Sequence, residues 1–127
     1  MAVILDTNAL SAFVNGDEKL LLAVKNEPEI AIPSIVLGEY LYGVQQSSLR
    51  VSYEAWIKKN LALFELLPVV RETAERYSDI RRELKAAGTP IPTNDLWIAA
   101  IARHHRMPLL TRDAHFRAVR GLEVVAW

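Results

Sequence analysis

The chain has 127 residues, 51% of them hydrophobic and 24% charged, which suits one soluble domain, residues 1–127, with a substantial core. Its 15 basic side chains balance 15 acidic ones, so no global field draws it to polyanions, and the lack of cysteine excludes disulfides, zinc–thiolate sites and thiol catalysis. No apolar run approaches the ~20 residues of a membrane span, and the N-terminus lacks a signal peptide's basic start and apolar core, so the chain reads as cytoplasmic, without a membrane partner.

Val3-Ile4-Leu5 is a short apolar run fit for a buried strand. It ends abruptly in Asp6-Thr7-Asn8, poor strand residues but good helix caps, so the chain leaves the sheet there. Ala9 to Val14 reads as a short helix stopped at Asn15-Gly16, and Asp17 caps a second helix around Leu20–Val24. Ile30-Ala31-Ile32 is a second strand closed by Pro33, with Ser34 as the cap of a helix carrying Val36, Glu39, Tyr40 and Val44. Ser52 is expected to cap a helix with Tyr53, Trp56, Ile57, Leu61 and Phe64 at amphipathic spacing, followed by a strand over residues 66–70.

The longest helix runs from Arg71 to Ala87 with Thr73, Tyr77, Ile80 and Leu84 inward. Its charged face (Glu72, Arg76, Asp79, Glu83) reads as solvated surface laced with i,i+4 pairs. Gly88 to Pro92 forces a loop, and Thr93 or Asn94 caps an apolar helix from Asp95 to Arg103. Leu109-Leu110 is a strand ending at Thr111, one helical turn runs through Phe116, and Leu122 to Val125 is the last strand. Strands alternating with helices predict an α/β sandwich, three-layer α/β/α, with a mainly parallel sheet of four or five strands.

Acids sit where ligands bind in such a sheet, beyond the carboxyl ends of the strands. Asp6 ends the first strand, and Asp113 follows the strand that ends at Thr111. Asp95 opens a helix whose inward stripe continues through Ile98, Ala99 and Ala102, so it faces the mouth of the sheet. Glu39 lies beside Ile35 and Val36, a costly place for an ionised side chain without a partner. Singly, each has a plainer reading: Asp6 and Asp113 as caps, Asp95 answering a helix dipole, Glu39 reaching solvent. Together they converge on one sheet edge, where their repulsion is relieved by a divalent cation. Oxygen ligation without cysteine points to Mg²⁺ or Mn²⁺, and carboxylate-held metals activate water for in-line attack on phosphodiesters.

The set Leu5-Asp6-Thr7-Asn8, Pro33-Ser34 with Glu39, Asn94-Asp95 with Ile98-Ala99-Ala100, and Leu110-Thr111-Arg112-Asp113-Ala114-His115-Phe116 resembles the PIN domain, and within it the VapC-type toxin nucleases of toxin–antitoxin pairs. The resemblance spans the whole chain in order. It implies a parallel sheet of order 3-2-1-4-5 and Mg²⁺- or Mn²⁺-dependent cleavage of RNA, such as tRNA or ribosomal RNA. It further implies a homodimer silenced by a cognate antitoxin protein. It matches Asp6, Glu39, Asp95 and Asp113 to the family's metal-binding and catalytic positions, and Thr7, Asn8 and Thr111 to their polar companions. The family often carries asparagine where Asp113 stands, so that residue acts either directly or through water.

Outside the acids, Arg112 is placed to hold an RNA phosphate at the rim. Phe116 reads as core, and His115 is given no catalytic role, since metal-assisted hydrolysis does not require it. His104 and His105 are expected to face a helix dipole and solvent. Tyr40, Tyr42 and Trp56 read as core or dimer contacts, and Trp127 is given no role. Three other functions fit parts of the pattern: a PIN nuclease of RNA maturation, a receiver-like domain phosphorylated on Asp6, and a non-catalytic RNA- or protein-binding module. The second lacks an evident partner lysine after the later strands, and the third predicts that Asp95 is dispensable.

Overall fold

The computed structural model describes residues 2–127. Five parallel strands form one sheet in the order β3-β2-β1-β4-β5, as the resemblance implies. They are β1 (Ala2–Leu5), β2 (Glu29–Pro33), β3 (Phe64–Leu67), β4 (Leu109–Leu110) and β5 (Val124–Val125). The helices are α1 (Thr7–Val14), α2 (Glu18–Val24), α3 (Ser34–Gln45), α4 (Arg50–Asn60), α5 (Arg71–Ala87) and α6 (Thr93–His105). Strand β1 lies centrally between β2 and β4, and all four of its residues are buried. Helix α1 packs against α3, and α5 runs along α6. The unbroken buried run Ile98 to Ala102 makes α6 the most enclosed helix; burying each larger aliphatic side chain there contributes about 1.5–3 kcal/mol. Among the described residues no helix is long and apolar enough to cross a membrane.

Several boundaries differ from the sequence-based expectation, each for a local reason. Pro33 and Pro92 occupy the N-cap positions of α3 and α6, because proline's fixed φ suits the entry to a helix and its missing N–H costs nothing there. Ser34 is therefore the first helical residue and donates to the Leu67 carbonyl at 3.3 Å instead of capping. Thr93 and Asn94 lie inside α6 in the same way. Helix α4 starts at Arg50, which puts Ser52 inside it, and it ends at Asn60. Leu61 falls in a 3-10 turn and Phe64 in β3, displacing that strand toward the N-terminus. Pairing with β2 runs from Ile30↔Phe64 to Pro33↔Leu67, and Pro68, with no N–H to donate, ends it.

The charged face of α5 is less solvated than the i,i+4 pattern suggests. Glu83 takes a two-pronged bond from Arg103 of α6 at 3.0 and 3.1 Å, and Arg103 also donates to the Arg120 carbonyl. Within the helix, Asp79 pairs at i,i+3 spacing with Arg76 and Arg82, 3.4 and 3.9 Å away. His104 does not face solvent: its Nδ1 meets the buried Thr73 hydroxyl at 2.9 Å and its Nε2 meets Glu72 at 3.1 Å. His105 stacks on it at 4.2 Å with its Nε2 buried and unpartnered. Burial, reinforced by His104, pushes the His105 pKa down.

Candidate metal centre

Asp6 serves as cap and as site residue at once. It stands between β1 and α1, 4% exposed, and its Oδ1 accepts the Ala9 N–H at 2.8 Å. Its Oδ2 accepts the hydroxyl of Thr111, the residue that follows β4. Thr111 Oγ1 also accepts the Asp113 N–H at 2.9 Å, so one buried hydroxyl ties two acids at neighbouring strand ends together. Burial pushes the Asp6 carboxyl pKa up, Thr111 and Ala9 pull it partly back, and Asp113 and Asp95 push it further up.

Asp95 sits in the first turn of α6, half-buried, and its pKa is likewise raised, by burial first and then by Asp113. Asp113 caps a 3-10 turn over Ala114–Ala118 by accepting the His115 N–H at 2.9 Å. That turn folds the imidazole back, and His115 Nδ1 lies 3.3 Å from Asp95 Oδ2 and 3.0 Å from Asp113 Oδ1. Donor atoms of Asp95, Asp113 and His115 all fall within 4.8 Å of one another. Glu39 faces the cluster from α3: Thr7 donates to its Oε1 at 3.2 Å, and its charge bears on Asp95.

The structure thus brings Asp6, Asp95 and Asp113 together, with Glu39 at the side and Thr7 and Thr111 as hydrogen-bonding companions. Asn8, in the first turn of α1, is exposed and lines a groove of about 220 Å³ with Thr7, Ser11, Glu39, Tyr40 and Tyr53. Arg112 is more constrained than a rim arginine need be. Its Nε donates to the Trp127 carbonyl at 3.0 Å and its guanidinium lies 4.4 Å over the Trp127 ring. With Thr111, Asp113 and Arg117 it lines a second cavity beyond β4 and β5. Tyr40 and Trp56 belong to this chain's own packing, Trp56 against Phe13 and Phe64, whereas Tyr42 is 67% exposed.

Sequence reasoning weighed His115 and set it aside as not required for metal-assisted hydrolysis. The signal was present in Asp113-x-His115: a capping aspartate accepts the N–H two residues on, which returns that residue's side chain to the cap. The donors present fit a hard divalent cation. Asp6 and Asp95, with pKa values raised by burial first and by neighbouring acids second, lack a compensating cation among the described residues, and carboxylate oxygens are the ligands such ions take.

A family model for the PIN domain matches residues 3–122. The ribonuclease VapC5 of Mycobacterium tuberculosis is 31% identical over 126 residues, covering 94% of this chain and 89% of its own. Among solved structures, VapBC2 from Rickettsia felis, bound to a DNA fragment from its promoter, superposes with a TM-score of 0.86 at 30% identity, covering 100% of this chain and 99% of its own. VapBC-5 from M. tuberculosis, a member of the VapBC family of toxin–antitoxin systems, gives 0.78 at 27% identity, covering 99% and 98%.

Proposed function

The chain belongs to the PIN-domain family, and on that premise we propose that it is a metal-dependent endoribonuclease, the toxin of a toxin–antitoxin pair, acting in the cytoplasm. The observation that carries this reading is the union of Asp6, Asp95 and Asp113 at the carboxyl edge of β1 and β4, with Thr111 knitting two of them. Asp95 and Asp113 would hold a Mg²⁺ or Mn²⁺ ion, with Asp6 and Glu39 as the further acids beside them. When bound, the ion activates water and neutralises charge on the departing oxygen.

The protein's own part is positioning and proton transfer. The Ala9 N–H and the Thr111 hydroxyl fix both oxygens of Asp6, so the carboxylate cannot rotate away when RNA arrives. Glu39, held through Oε1 by Thr7, keeps Oε2 to take the proton of the attacking water. Arg112, braced on Trp127, and Arg117 line the cavity next to Asp113 and offset the acids' repulsion of a phosphate backbone. A homodimer forms through exposed apolar residues such as Tyr42, Leu49 and Val51, since Tyr40 and Trp56 are engaged internally. The cognate antitoxin covers the groove at Glu39.

The test is cleavage of labelled RNA by antitoxin-free protein in Mn²⁺, Mg²⁺ or EDTA, beside Asp6→Asn. Cutting that requires metal and disappears in the variant is expected. Cutting that persists in EDTA or in Asp6→Asn overturns the reading.

A further inference from the structure

The imidazole of His115 stands between two carboxylates. Its Nδ1 bridges carboxylates from two separate elements, α6 and the turn after β4, at 3.3 and 3.0 Å. Neighbouring ligands of an octahedral ion with bonds of about 2.1 Å stand roughly 3 Å apart, so the same spacing suits a shared proton or a shared metal. Asp113 Oδ1 is fixed from behind by the His115 backbone N–H at 2.9 Å, which ties carboxylate and ring to one rigid turn. Ring, turn and α6 therefore present two oxygens and one nitrogen within 4.8 Å of one another.

We propose that His115 is a nitrogen ligand of the divalent ion, completing an Asp95–Asp113–His115 set that favours Mn²⁺ over Mg²⁺. The inference rests on reading the acids as a metal centre and adds a ligand and a selectivity to it. Mg²⁺ is hard and keeps oxygen ligands and water, whereas first-row transition ions accept imidazole readily. In the tautomer that carries its proton on Nε2, Nδ1 would offer its lone pair to the metal. His115 thereby acts before RNA arrives, through the choice of ion.

Binding of each metal alone is the measurement, independent of cleavage. In the wild-type protein loaded with Mn²⁺, spin-echo modulation should show a directly bound imidazole nitrogen, absent in His115→Ala. Calorimetry should find Mn²⁺ affinity reduced about tenfold or more in that variant and Mg²⁺ affinity changed no more than about twofold. The side chain is 53% exposed, so removing it leaves the core untouched. Bound Mn²⁺ without nitrogen modulation, or a variant that binds Mn²⁺ more tightly because a competing cation has gone, overturns the ligand role and spares the metal centre. Failure of the wild-type protein to bind either ion overturns both.

Discussion

Thr111→Val is the sharpest test of how the site is built, because valine keeps the shape and removes only the hydroxyl's bonding. Thr111 is 2% exposed and makes two bonds, donating to Asp6 Oδ2 and accepting the Asp113 N–H at 2.9 Å. A hydrogen bond to a charged group is worth about 1.5–3 kcal/mol and a neutral one about 0.5–1.5. Water reaches half-buried Asp113 and the new methyl group returns some apolar burial, so the net loss is about 2–3 kcal/mol. Urea unfolding in EDTA, followed by tryptophan fluorescence, measures it. Thr111→Ser is the control: it keeps the hydroxyl and forfeits one methyl group, about 1 kcal/mol. A valine variant as stable as the serine variant would refute the hydroxyl's role in joining the two acids.

Asp6→Asn should abolish cleavage yet raise stability at neutral pH in EDTA. Burial holds the native carboxyl pKa above its unfolded value, so ionised Asp6 is a cost to the fold, and the variant's gain should fade as pH falls toward the unfolded value, about 4. Glu83→Gln has the opposite sign. Arg103 holds the Glu83 pKa below the usual range, so the pair stabilises above the unfolded glutamate pKa and is lost as pH falls through the folded one. Its solvent exposure limits the effect to about 0.5–1 kcal/mol, read as a difference in unfolding midpoint at pH 7 that vanishes in acid. His105, with its pKa pushed down by burial, stays neutral in the native state while the unfolded chain protonates below about pH 6.5. Wild-type stability should therefore fall as pH drops through that region, and His105→Phe should flatten the dependence in paired melts at pH 5.5 and 8.

The sheet and the acids were legible because both follow from alternation: buried apolar runs make strands, and polar residues that interrupt them mark carboxyl ends. Helix α5 and strand β4 fall on the residues expected from pattern alone. Expected serine and threonine caps gave way to Pro33 and Pro92, since capping preference is local whereas the entry angle is set by what comes before, strand β2 for α3 and the loop after α5 for α6. The Arg103–Glu83 and His104–Thr73 contacts join residues 20 and 31 positions apart, and no periodicity encodes which faces of two helices meet. His115 was hidden for a related reason. Its importance lies in a turn that doubles the ring back onto Asp95, which is near it in space but not in sequence.

The Thr111–Asp6 bond spans 105 positions along the chain. During synthesis, Asp6 leaves the ribosome 105 residues ahead of this partner and must wait for it. Strand β1 can pair with β2 as soon as that strand appears, but its other neighbour, β4, comes only after α6. At elongation rates of about 5–20 residues per second, the nascent chain spends several seconds with an incomplete sheet and its acids apart. The carboxylate cluster therefore closes only after β4 has been made and has found its place beside β1.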